Sequence, residues 1–495
     1  MPTYYITQQG LGIESGENPD NPMSLDIFHQ TEFTAGDIVL FSGLFTDTIS
    51  IDSGGTSNDP VIYKGTNDEF IDDDTHAEVI VDNNNHAIII NTKHVLIENF
   101  SASNLSSENY SCFAISGDIN NSQDADDSIH LRDCTAVENN GNGDGFSIIS
   151  SPESTTKATF TRCQAKSITG PGDQGFTNHN NQKSFLIDCS STSDCQLPIG
   201  CVGESVDIVG GIFRNGGAGS DIIYVDGETT LTATDATFIA EGSGSSANIF
   251  STSPGELNKI VLNNCSIHQN DSARGINYLD GLPGSGLYMN GGEITIDSEA
   301  PAFIMTKSDE VTVHIDNVYI NVLKSGAKTL ISNSNSEIVI ENSTIDYSNS
   351  TLVNYYFIHG GSGFKVSQYS IANNTFYGNP NAALLNTHPN TKNSYAISGN
   401  HFRDFTGMTP LIDNRFNEND TGSLLIKKNI FENTNTVISN NQNTILDDNQ
   451  YINSTNNFPY DIPTETINSP FGMVFSLLII LAMIGSYSAR DREPQ

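Results

Sequence analysis

A chain of 495 residues with 21 Lys and Arg against 59 Asp and Glu has a formal charge of −38, which excludes nucleic acid as a partner, because phosphate binding needs clustered cations. With 42 Gly, 17 Pro, no Trp and only 16% charged residues, the polar positions fall to Asn, Ser, Thr, Gly and Asp, which favour tight turns over helices. Seven cysteines without a C-x-x-C exclude a zinc ribbon and define no disulfide framework.

Residues 1–65 read as an opening cap with the first strands. Tyr4-Tyr5-Ile6 is a strand, Gly10 to Pro22 a loop, Ala35-Gly36-Asp37-Ile38 a turn feeding a second strand, and Asp59-Pro60-Val61-Ile62-Tyr63-Lys64 a further one. This ordered set resembles the N-terminal cap of the pectate-lyase-like superfamily, where a Y-Y-[VI] strand, an A-G-D-x-[VI] turn and a P-[VI]-x-[YIF]-[KR] strand begin the coil. The resemblance implies a fold and is silent about a reaction.

From 66 to 457 one unit recurs every two to three dozen residues, the signature of a repeat architecture. A single column counts the rungs: Phe100, Cys134, Cys163, Cys189, Gly211, Ala236, Cys265, Gly292, Val318, Ser343, Asn374, Asn400, Asn429 and Asn449. An Asn, Asp or Gly usually precedes it, and an apolar residue such as Phe213, Ile294 or Phe402 usually lies two further on. Short strands stacked at about 4.8 Å bury faces that no rung could bury alone. The expected fold is therefore all-β, a single-stranded right-handed parallel β-helix. Four of the seven cysteines sit in the column, which makes them core packing. The spacing of Cys195 and Cys201 leaves a pairing between them open.

Residues 458–470 read as a Pro-containing linker, and 471–495 as a hydrophobic tail with a basic end. The apolar run from Phe471 to Ile484, followed by Arg490 and Arg492, has the order expected of a C-terminal membrane anchor, with a buried cap as the alternative. The layout resembles bacterial sorting tails of the Ile-Pro-Thr-Leu type through Ile462-Pro463-Thr464, with Glu465 in place of Leu. This implies a cell-surface or extracellular location, membrane-anchored at the C-terminus. Met1-Pro2-Thr3 leads straight into the first strand, so no N-terminal signal peptide is visible, and the reading expects a missing or trimmed one.

Chemistry is expected between Gly143 and Asp226. Asp144, Asp173 and Asp221 each stand just before a rung's first strand, and stacked carboxylates favour a hard cation, so calcium is the candidate cofactor, with Asp226 as a further ligand. Plain turn chemistry is the alternative for Asp-Gly. His179 and Asp226 fall at one strand position two rungs apart. His179 and Lys183 are the candidate catalytic residues and Arg162 and Arg214 the candidate substrate-binding ones, because β-elimination on a uronate needs a base and a cation to hold the carboxylate. Asp72-Asp73-Asp74 and Asp124, Asp126 and Asp127 read as solvated acidic loops.

The order G-D-G-F, C-x-A, G-D-Q-G-F from Gly143 to Phe176 is similar to family-nine pectate lyases, whose D-G-F and D-D-G-x-D repeats supply calcium ligands. Here Gln174 and Thr177 stand where two of those Asp residues would be. Gly175-Phe176-Thr177-Asn178-His179-Asn180 is similar to the G-F-D-P-H-E segment of mannuronan epimerases, of whose charged residues His179 remains. The combined reading is a surface-displayed β-helix that binds or processes acidic polysaccharide, of lyase or epimerase type. The alternative is a non-enzymatic surface or adhesion protein in which the coil serves as a rod.

Overall fold

The computed structural model describes residues 1–454 apart from short loop segments, the longest being 118–127, and none of 455–495. The described residues belong to one compact unit, Met1–Asn456. Among the described residues the strands are short, parallel and stacked coil upon coil, the expected β-helix.

Each coil gives one strand to a 14-stranded parallel sheet, here called the first ladder, which runs from Ile49–Ile51 to Ile412–Asp413. Its inward column includes Phe113, Phe146, Phe176, Ile199, Ile223 and Phe250, paired in register and all buried. Phe113, Phe146 and Phe176 stack face to face at 4.7 and 4.9 Å, so the core continues from coil to coil as a pile of rings.

Two further strands per coil, the second and third ladders, meet at a turn that holds one residue in the left-handed region. In one coil, Ser128–Arg132 is followed by Asp133 at φ 54° and then by Thr135–Asn139. The same conformation recurs at Asn99, Asp188, Asp235, Asn264, Asn317, Asn342 and Asn373. Asn, Asp and Gly tolerate this region best, which is why one of them usually precedes the repeating column. Arg162 at φ 51° and Lys428 at φ 56° hold it without that advantage.

The residue after this turn points inward. Cys134, Cys163, Cys189 and Cys265 direct their thiols at main-chain carbonyls of the preceding coil, those of Ile97, Leu131, Phe160 and Ala233. Asn374, Asn400, Asn429 and Asn449 do the same with their amides, to Ile340, Ile371, Ile397 and Ile426. All seven cysteines are buried and none is in a disulfide, so Cys195 and Cys201 do not bridge.

The N-terminal end is closed by Thr3–Thr7, parallel to Ile38–Ser42, and by a four-residue helix, Leu25–Phe28. The helix lays Phe28 edge-on to Phe41 at 5.1 Å. Composition disfavours helices, yet Leu25 and Phe28, three residues apart, gain burial over the open end of the coil. Among the described residues no helix is long and apolar enough to cross a membrane, and the run 471–484 lies outside them, as do Asp72–Asp74, Asp124, Asp126 and Asp127.

Candidate functional site

Of the polar residues that sequence reading singled out, the first ladder brings Asp144 and His179 together. In Phe146–Ser150 and Gln174–His179 the inward residues are Phe146 and Ile148, then Phe176 and Asn178. Strand alternation turns Ser147 and Thr177 outward, and they are register partners. His179 ends its strand opposite Val202. Asp226, one residue beyond Val225, follows on the next coil and donates its main-chain N–H to Cys201.

Asp144 is held from several sides. Its main-chain N–H donates to Ser111 Oγ at 3.3 Å, and its carbonyl accepts from Cys112 N at 3.0 Å and from Asn139 Nδ2 at 3.4 Å. Its side-chain Oδ1 accepts the Gln174 main-chain N–H at 3.1 Å, and Oδ2 lies 3.5 Å from His179 Nε2. The carboxylate is mostly covered, with its side chain 13% exposed, whereas the His179 ring is 34% exposed. A partly exposed imidazole beside a fixed carboxylate is oriented by it. That pair can accept a proton from a group lying on the strip.

Around the pair lie polar atoms that the fold leaves unmatched. The hydroxyls of Ser147 and Thr177 and the side-chain carbonyl of Gln174 are buried with no hydrogen-bond partner among the described residues. The Gln174 amide lies against Gly200 of the next coil, so a side chain at 200 would have to displace it. Farther along, Asp221 is hydrogen-bonded by Ser251 Oγ, and Tyr224 OH reaches Asp226 Oδ2 at 3.5 Å. Burial first, then the carboxylates of Asp226 and Asp221, raise the Tyr224 phenol above its ordinary value and keep it protonated.

The expected metal ligands do not converge. The position of Asp144 is occupied on successive coils by Gln174, Leu197 and Asp221, so the two carboxylates stand three coils apart, on the order of 14 Å at the strand spacing. Gln174, not Asp173, matches Asp144; Asp173 itself lies outside the described residues. Among the described residues no three His, Cys, Asp or Glu side chains are grouped to hold a metal ion. Asp144, Asp221 and Asp226 therefore do not fit one shared calcium, and their oxygens are engaged with protein groups instead.

The cations also part company. Arg162 is the left-handed residue that ends Lys157–Thr161, and Lys157 pairs with Lys183. Five residues of extended chain, on the order of 17 Å, thus separate Arg162 from the His179 edge. Its guanidinium grips Asp133 through two bonds, at 2.7 and 2.5 Å, which raises its pKa further. Arg214 lies in the third ladder and pairs with Glu241 at 2.9 Å. Lys183 opens the strand Lys183–Ile187, which comes next in the chain after Gln174–His179, and acts electrostatically on Asp207 of the next coil, drawing its pKa down against the stronger upward effect of burial. Of the four residues expected to catalyse or bind, only His179 and Lys183 share an edge.

Ser111, Ser147 and His86 were not anticipated. His86 Nδ1 accepts the Ser111 main-chain N–H at 2.9 Å, one coil before Asp144, and burial lowers the pKa of its ring despite the nearby Asp144 charge. The available signal was a polar residue between two buried apolar ones, as Ser147 stands between Phe146 and Ile148.

No protein-family model matches the chain, and no curated protein matches its sequence. Among solved structures, a rhamnogalacturonan lyase aligns at 11% identity over 69% of this chain and 87% of its own, with a TM-score of 0.41. A pectate lyase aligns at 13% identity over 71% and 78%, with a TM-score of 0.31. The A-module of a mannuronan C-5 epimerase from Azotobacter vinelandii aligns at 12% identity over 86% and 93%, with a TM-score of 0.31. Alignments this loose carry no argument about the chemistry of the chain.

Proposed function

We propose that this β-helix binds or processes polysaccharide, acidic polysaccharide by class, along the outer face of the first ladder, with His179 as proton acceptor and Asp144 as its orienting partner. The observation that carries the reading is the 3.5 Å approach of His179 to a carboxylate fixed by the main chain of the next coil. Abstraction of the proton α to a uronate carboxyl needs such a base, together with a cation that leaves its own partner to meet the substrate. Lys183, on the same edge, is the candidate for that second task. On pectate, alginate and chondroitin, the wild-type chain is expected to release unsaturated uronates. His179→Ala should lower the rate by roughly 10²–10⁴-fold, the usual span for a general base.

A second reading, a non-enzymatic surface or adhesion rod, is favoured by one observation: Arg162 and Arg214 already hold carboxylates of the protein. Absence of both product and binding on all three polysaccharides would leave that reading in place of the first. Surface display through the tail 471–495 belongs to both readings. Its test is deletion of that segment, which should move the protein from the membrane to the soluble fraction; unchanged partition would remove the anchor from the proposal.

A further inference from the structure

The thiols of Cys134, Cys163 and Cys189 occupy one column on three consecutive coils. The ladders on either side set this register: Arg132, Thr161 and Ile187 are partners before it, and Thr135, Gln164 and Ser190 after it. The main chain is tied directly at the column, with Gln164 N donating to Cys134 O at 2.9 Å and Ser190 N to Cys163 O at 3.0 Å. Each thiol points into the coil toward carbonyls of its own and the preceding coil. Stacked coils place successive Cα atoms about 4.8 Å apart, inside the roughly 4.4–6.8 Å that a disulfide spans, and Cβ atoms must close from about 4.8 Å to roughly 3.5–4.5 Å. Cys134 and Cys189 are two coils apart, on the order of 9.6 Å, beyond that reach.

We propose that these three cysteines form an oxidation site in which Cys163 is the shared partner, bonding to Cys134 or to Cys189 but never to both. The oxidant is a small uncharged peroxide. One thiolate attacks the peroxide O–O bond, expels hydroxide and becomes a sulfenic acid; the neighbouring thiol then displaces the oxygen as water, so two thiols and one H₂O₂ give one disulfide and two waters. Burial raises the Cys163 thiol well above its ordinary value, which makes the first step slow in the folded protein. The bond clips two coils together across about thirty residues of chain and resists their separation.

The experiment treats the full chain with hydrogen peroxide under native conditions, quenches, and maps disulfide-linked peptides by mass spectrometry. The expected product is lighter by two hydrogens, reverts with dithiothreitol, and contains Cys134–Cys163 or Cys163–Cys189 peptides with a raised melting temperature. Cys163→Ala should abolish both links although the two outer thiols remain, whereas Cys134→Ala should retain the Cys163–Cys189 link. Because Cys163→Ala opens a small cavity, its β-sheet circular dichroism is compared with wild type, and Cys163→Val serves as the filled control. A Cys134–Cys189 link in either variant, a dominant link through Cys112, Cys195, Cys201 or Cys265, or no disulfide at all would overturn the proposal.

Discussion

The repeating column carries thiols at Cys134, Cys163, Cys189 and, beyond Gly211 and Ala236, at Cys265, and amides at Asn374, Asn400, Asn429 and Asn449, and the two solve one problem differently. Both must answer a carbonyl of the preceding coil exposed where the chain turns inward. A thiol answers it with a long, weak S–H contact, 3.3 Å at Cys189 and 3.6 Å at Cys163, and is a poor acceptor in return. An amide answers at 2.8–2.9 Å and also accepts: Asn374 N donates to Asn400 Oδ1, Asn400 N to Asn429 Oδ1, and Asn429 N to Asn449 Oδ1, at 2.9–3.0 Å. The cysteine half tolerates its neighbours, and the asparagine half requires them. Ser343 stands at the join, its hydroxyl accepting Val318 N while its own N–H donates to Asn374 Oδ1.

The sharpest way to break this contrast is Asn400→Leu. It strands the Ile371 carbonyl and removes the acceptor of two Asn374 donors, so with each orphaned group costing about 1–3 kcal/mol the expected loss is about 4 kcal/mol in urea unfolding. A loss below about 1 kcal/mol would show that water replaces the ladder. Cys163→Ser should cost less, about 1–2 kcal/mol, because the hydroxyl still finds the Leu131 carbonyl but loses its bonds to water. Native thiol labelling should leave Cys134, Cys163 and Cys189 unmodified until denaturant is added. Ser343→Asn should extend the amide ladder by one coil and change stability by less than about 1 kcal/mol in either direction.

The smallest effect is a pH response seated before Cys134. Burial, the largest cause in each case, lowers the pKa of His29, His86 and His130 below the ordinary 6.5, with Arg162 adding to the effect at His130. As pH falls through about 6.5 the unfolded chain takes up these protons before the folded one, so stability is present above that pH and lost below it, down to the folded values. Melting temperature measured from pH 7 to pH 5 should fall, and His86→Asn with His130→Asn should flatten the slope.

The column and its turns were legible because two constraints coincide at adjacent residues, a left-handed conformation at Asp133 or Asn373 and a buried polar cap at Cys134 or Asn374. The site was harder to read. Counting from Asp-Gly aligned Asp173 with Asp144, whereas pairing of Phe146 with Phe176 puts Gln174 there. Arg162 looked near His179 along the chain, but in a coil the two ends of a strand lie on opposite edges of a ladder. Ser147 and Thr177 carried too little sequence signal to be separated from ordinary strand serines and threonines.

The interchangeable amides have a consequence for the length of the molecule. Asn373 and Gly399 share the left-handed turn, and Asn374 and Asn400 share the position after it, 26 residues apart. Excising 374–399 would join Asn373 to Asn400 and set Asn400 directly beneath Ser343, in the place and with the partners that Asn374 has now. Duplicating the same segment would insert one more identical step. At this column a whole-coil gain or loss leaves the amide-to-amide step chemically unchanged, so unequal recombination within the gene can lengthen or shorten the coil while keeping its ladder of amides.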